Sequence, residues 1–159
     1  MLIRILSVGK IKEKFHQEAI EEYKKRLNGY VKLENIVVAD ESIPDKASLK
    51  EEEKIKQKEG ERLLQKIKSQ DFVLLLDIKG KEMDSVTFSS YIEQKMSNGI
   101  SSFTFIIGGS LGVSEEVRQR ANERISLSKM TFTHPFSKVI LMEQLYRAFK
   151  IMHHETYHK

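Results

Sequence analysis

The 159-residue chain contains no cysteine and only two prolines, Pro44 and Pro135. Without a thiol there can be no disulfide, no thiolate metal site and no cysteine nucleophile. With so little proline and no Ser- or Gly-rich stretch there is no linker, so one domain over residues 1–159 is expected. No apolar run approaches the ~20 residues of a membrane span. The apolar start, Met1 to Leu6, is too short for a secretory signal and is interrupted by Arg4. A cytoplasmic protein that enters no membrane is therefore expected. Three sequence signatures are also missing: the dinucleotide fingerprint, the phosphate loop ending in Gly-Lys-Ser/Thr, and the nucleophile elbow. Dinucleotide, nucleoside triphosphate and serine-hydrolase chemistry consequently have no support.

Apolar residues make up 40% of the chain, enough for a core, and 31% are charged. Lys and Arg number 27 against 23 acidic residues, a net charge of +4. That mild excess suits a polyanion such as RNA without requiring one. Four short β-branched runs read as strands: Leu2–Val8, Leu33–Ala39, Phe72–Asp77 and Phe103–Ile107. A weaker fifth spans Arg124–Leu127. Phe72 to Leu76 is apolar without alternation, as in a strand covered on both faces of a parallel sheet.

Helical periodicity fills the intervals, at Glu13–Leu27, Ser48–Lys68, Ser85–Met96, Ser114–Asn122 and from near Pro135 to Met152. In the charge-rich second helix only Ile55, Leu63, Leu64 and Ile67 are available to pack, so the rest reads as a solvated face. Ser114, followed by Glu115 and Glu116, has the composition of a helix start. The last helix is apolar on more than one side, and the surplus is expected to pack on the same helix of a second subunit. The alternation of strands and helices defines an α/β protein with a mostly parallel sheet sandwiched by helices.

Ligands of such sheets bind beyond the carboxyl ends of the strands. Gly108-Gly109-Ser110-Leu111-Gly112 lies there, after the fourth strand, where it reads equally as a cofactor loop or a plain tight turn. Leu127 to Pro135, a polar–apolar mixture between a short strand and the last helix, suits a loop wrapped around a small amphipathic ligand, or a simple connection. His154 and His158 would share a face if helical, but no further ligand completes a site, so no metal is expected. His134, beside a helix start, reads as structural. The closing Tyr157-His158-Lys159 offers an aromatic, an imidazole and a cation, a trio that could contact RNA or simply end the chain.

Several ordered segments carry a resemblance. They are Ile5 to Lys10, Val37 to Glu41, Lys58-Glu59-Gly60, Ile106 to Ser110, Leu127 to Phe132, Glu143 to Ile151 and Tyr157-His158-Lys159. Along nearly its whole length the chain resembles the RlmH family of the SPOUT superfamily, small methyltransferases acting on N3 of a pseudouridine in large-subunit (23S) ribosomal RNA. The resemblance implies a SPOUT-type fold with a C-terminal trefoil knot, which periodicity alone would not propose. It implies S-adenosylmethionine as cofactor, held by Leu76, Gly108 and the run Leu127, Ser128, Lys129, Met130, Thr131 and Phe132. It implies a homodimer acting on ribosomal RNA, on the assembled ribosome, with the tail of one subunit near the cofactor of the other.

On the substrate side the expected groups are Lys138 and His158 as catalytic residues and Arg147, Tyr157 and Lys159 as binding residues, with no assigned general base. The family usually has Pro at position 133, Gln at 135 and Arg at 138, where this chain has Thr133, Pro135 and Lys138. It also has a polar residue at Leu111 and an Arg-Gly-like pair at His153-His154. Lysine keeps the charge of arginine but loses its planar fork. Two other readings remain open: a SPOUT-like methyltransferase of another RNA, and a non-catalytic RNA- or ribosome-binding paralogue.

Overall fold

The computed structural model describes Met1–Lys159, in which strands and helices alternate without exception. The strands are β1 (Leu2–Val8), β2 (Lys32–Val38), β3 (Phe72–Glu82), β4 (Ser102–Ile107) and β5 (Glu123–Ser126). The helices are α1 (Lys14–Leu27), α2 (Leu49–Leu64), α3 (Ser85–Ser97), α4 (Glu115–Arg120) and α5 (His134–Met152). All five strands are parallel, in the order β2-β1-β4-β3-β5. A parallel neighbour requires a crossover connection; α1 to α4 each lie in one, and α5 follows the last strand.

The unbroken apolar runs are the inner strands. Val73, Leu74 and Leu75 of β3 are at most 1% exposed, and all six residues of β4 are buried. On one face of the sheet, α1, α3 and α5 pack over Ile3, Ile5, Phe103 and Phe105. On the other, α2 and α4 cover Leu6, Val8, Val73 and Ile106. Alternate side chains of β1 thus serve opposite cores, as the two-residue period of a strand dictates. Much of the apolar girth of α5 is spent within the chain, where Leu141, Met142, Leu145, Ala148 and Phe149 are buried in the first core.

Local chemistry sets the helix starts. Ser48 and Glu51 form a reciprocal capping box on α2; Asp84 caps α3 through Thr87 N–H (2.7 Å), and Ser114 caps α4. β3, α2 and α4 depart most from expectation, while the ends of most other elements shift by a single residue. β3 runs on to Glu82 because Lys81 and Glu82 pair with Ile125 and Ser126 after an irregularity. The backbones meet so closely there that a Cβ on Gly80 would lie 2.6 Å from Ile125, which explains the glycine. α2 stops at Leu64, four residues early, and α4 at Arg120. β5 begins one residue sooner, at Glu123, because its partner β3 sets the register.

Candidate active site

The carboxyl ends of β3 and β4 open into a cleft of about 610 Å³. Leu75, Leu76 and Asp77 form one wall, Ile107 and the glycine loop 108–113 a second, and residues 131–134 with Ser137 the third. An adjoining recess of about 170 Å³ adds Ser126, Leu127, Ser128 and Met130. Gly108 cannot be larger: an added Cβ would sit 2.8 Å from Val113, because the loop folds back on itself and closes with a Gly109–Gly112 bridge. Gly112, at φ +90°, makes that reversal at no steric cost. Ser126 Oγ donates to the carbonyl of Ser128 (2.8 Å), and Ser128 Oγ accepts from Met130 N–H (3.0 Å), so the third wall is tied by its own hydroxyls.

The cleft holds one ion-pair cluster. Asp77 accepts from Arg118 (3.0 Å) and, outside the wall, from Arg124 (3.3 Å). Burial alone would raise the Asp77 carboxyl, but Lys79 N–H and the two guanidinium groups hold it below the usual carboxylate range. The remaining lining is apolar side chain, backbone amide, hydroxyl (Ser110, Thr131, Thr133, Ser137) and the imidazole of His134, which the sequence alone reads as structural. That mixture and volume fit S-adenosylmethionine, whose adenine and thioether carbons need apolar walls and whose ribose and amino-acid ends need a few polar groups.

The residues expected from the sequence fall into three groups. Leu76, Gly108, Leu127, Ser128, Met130, Thr131 and Phe132 converge on the cleft and its recess, while Lys129 stands on the same loop with its side chain in solvent. Arg147, Tyr157 and His158 form a second cluster, away from the cleft wall. Arg147 binds Glu143 in a fork (2.6 and 3.1 Å), lies 4.7 Å over the Tyr157 ring and touches His158 Nδ1 (3.2 Å). Tyr157 rests edge-on against Tyr146 and donates to Glu143 (3.1 Å). Its hydroxyl is pushed up to about 12, by burial first and by neighbouring Tyr23 and Glu143 next. Lys159 is exposed at the end of this tail.

Lys138 forms the third group alone. It is 2% exposed, off the cleft wall, and its ammonium donates only to Ser7 Oγ (3.2 Å); burial pushes it down to about 8. It therefore does not reach a bound RNA base directly, contrary to its expected place on the substrate side. Ser7 is paired with Ile107 of the cleft, so the buried cation lies beneath the strand ends. The helical spacing of His154 and His158 is also not realised, since α5 ends at Met152 and His154 turns the chain at φ +54°.

Asp77 and Arg118 were not singled out from the sequence. Their signal is positional: one follows the buried strand and the other lies in the helix after the glycine loop. Also missed was the packing of α2 behind the loop, where Glu59 and Gly60 are buried within a helix whose charges read as solvated.

A parallel α/β sheet with an amphipathic cleft between a glycine loop and the loop into its last helix defines a class, the small-molecule-binding α/β enzymes. Comparison with known proteins narrows it. The family described as "Predicted SPOUT methyltransferase" matches residues 1–158. A protein of Clostridium botulinum (strain Kyoto / Type A2) named "Ribosomal RNA large subunit methyltransferase H" is 57% identical over 159 residues, the whole of both chains. A protein of that name from Desulfitobacterium hafniense is 52% identical over 157 residues, 99% of this chain and 98% of its own. One from Clostridium perfringens, named "Ribosomal RNA large subunit methyltransferase H 1", is 54% identical over the whole of both chains. The chain belongs to the SPOUT methyltransferase family, among the ribosomal RNA large subunit methyltransferases H, and is a methyltransferase.

Proposed function

We propose that the protein transfers a methyl group from S-adenosylmethionine to N3 of a pseudouridine in large-subunit ribosomal RNA, on the assembled ribosome, in the cytoplasm and as a homodimer. The observation that carries this reading is the meeting of Leu76, Gly108 and the 127–132 loop on one cleft, in a chain that matches relatives of that name end to end. When bound, S-adenosylmethionine supplies an electrophilic methyl on a sulfonium.

The chain's own groups bind and orient. The apolar walls exclude water, the 128–132 loop presents backbone groups, and the Asp77–Arg118 pair offers opposite charges to the zwitterionic end of the donor. N3 of the base is an imide nitrogen whose proton leaves as the methyl arrives. Holding the two reactants in line can lower the barrier by roughly 7–11 kcal/mol. Lys138 acts as a positioning residue, a cation beneath the floor of the cleft. His158 serves at the reacting base, while Arg147, Tyr157 and Lys159 hold the RNA. Because these four lie off the cleft wall of their own chain, they serve the partner subunit's cleft. Exposed Phe15 and Phe136, 59% and 48% accessible with ring centroids 6.3 Å apart on adjoining α1 and α5, are the anchor of the dimer face.

The test is transfer of labelled methyl from S-adenosylmethionine to ribosomes lacking the modification, with free ribosomal RNA and tRNA alongside. Label in the large-subunit RNA of ribosomes is expected. Label confined to tRNA, or label nowhere, contradicts the reading.

A further inference from the structure

Behind the glycine loop lies a carboxylate that the reaction as drawn does not use. Glu59, in the middle of α2, is 5% exposed. One oxygen, Oε2, accepts from the backbone N–H of Glu41 (3.0 Å). The other, Oε1, faces the glycine loop: a Cβ placed on Gly109 would lie 2.8 Å from it. Gly109 has no positive φ, and the atom nearest to an added side chain is the Glu59 carboxylate oxygen, which must shift to admit one while its partner oxygen is held by Glu41. One residue on, Gly60 packs so tightly on the cap of α4 that its Cβ would meet Ser114 Oγ at 2.4 Å. One turn of α2 therefore touches both ends of the loop that walls the cleft. Arg62, a further turn along, fastens the 39–41 segment to the same helix through Ala39 O (2.9 Å) and Glu41 (2.7 Å).

We propose that Glu59 is a positioning residue for the methyl donor, its buried carboxylate bracing the 108–112 loop from behind and tying it to the 39–41 segment. The inference rests on the donor-cleft reading above. Burial raises the Glu59 carboxyl above its usual value, with Asp40 and Glu41 adding to the rise and Arg62 and the Glu41 N–H opposing it. Tight packing rather than free solvation is the environment such a brace needs. A glycine loop pushed out of line loses donor contacts first, because positioning errors of about 1 Å can cost 10²-fold in transfer.

The test is a double-substitution cycle read by calorimetric titration of the full-length protein with S-adenosylmethionine, supported by thermal melting and KM values. Gly109→Ala is expected to weaken donor binding about tenfold by overpacking against Glu59. Glu59→Ala alone, which removes the brace, should weaken donor binding several-fold; in the double variant the new methyl fills the vacated space, so its loss should be smaller than the two single losses together. Glu59→Gln, isosteric and still able to accept from Glu41, should stay near the unaltered protein. In turnover, KM for the donor should rise in Gly109→Ala while KM for the ribosome holds, a split that loss of stability alone does not produce. If Gly109→Ala fails to fold, recovery of melting and binding in the double variant supplies the same reading. Binding unchanged by Glu59→Ala or by Gly109→Ala, or losses that simply add in the double variant, overturns the inference. Absence of donor binding in the unaltered protein overturns the reading of the cleft, and this inference with it.

Discussion

At the scale of single residues the cleft is built by exclusion as much as by contact. Gly108 and Gly109 are glycines because Val113 and Glu59 occupy the space beside them, and Gly112 because the loop must reverse. Lys138 is uncomfortably placed: a buried cation whose one hydrogen-bond partner is a hydroxyl. Its folded-state pKa of about 8 lies below the 10.5 of an open chain, so between those values the unfolded protein binds more protons than the folded one. Stability from this group accordingly rises with pH over that interval, by at most about 3 kcal/mol, and the full burial penalty applies below it. Replacing Lys138 with Met should stabilise the protein near pH 7 and flatten the rise between about pH 8 and 10.5. Denaturant titrations of both proteins across that range check this, and parallel curves would contradict it. The same variant should transfer methyl more slowly with donor affinity intact.

At the scale of elements, the sheet is pinned at the end opposite the cleft. Arg4 of β1 meets Asp71, just before β3, through two contacts (2.9 and 2.8 Å), and Ser102 (2.7 Å), Thr104 (3.1 Å) and Lys68 N–H (2.9 Å) complete the carboxylate. Burial opposes the charge on Asp71, yet these donors together hold it below the usual carboxylate range. Its contribution is thus present above the unfolded value near 4 and lost as pH falls through the lower folded one. Asp71→Ala leaves Arg4 buried and poorly compensated and should cost about 3–5 kcal/mol, measured by urea unfolding. A loss under about 1 kcal/mol would mean that Glu34 (2.9 Å) suffices as partner for Arg4.

Elements of this kind were unequally legible. The apolar run of β3 and the Ser114-Glu115-Glu116 helix start announced themselves because their causes are local. The extension of β3 to Glu82 depends on pairing with β5, some forty residues away, and has no local sign. Glu59 stands in a segment that carries the resemblance, but its burial was hidden by its neighbours: in a helix crowded with charges, one buried carboxylate looks like the solvated rest. That the glycine loop and the 127–132 loop border one cleft could be anticipated from strand ends and glycines together with the family resemblance. The separation of Lys138 and of the tail from the cleft could not, since it depends on how α5 lies over the sheet.

At the scale of the whole molecule, the two sets of groups given roles in the proposed reaction stand apart on a single chain. The cleft lies at the carboxyl ends of β3 and β4, and the Arg147–Tyr157–His158 cluster lies on α5 and the tail. In the proposed dimer, anchored on the exposed Phe15 and Phe136, the two sets meet from different subunits as part of that proposal. Light scattering at micromolar concentration should give twice the mass of one chain, and Phe136→Glu should move it towards one, with methyl transfer falling in step. A strict monomer that transfers methyl at full rate would contradict the shared site. The central claim, transfer to N3 of a ribosomal pseudouridine, is tested most directly by the product itself. Large-subunit RNA from treated ribosomes, digested to nucleosides and analysed by mass spectrometry, should contain N3-methylpseudouridine that untreated RNA lacks. A methyl group on any other nucleoside, or none at all, would contradict the claim.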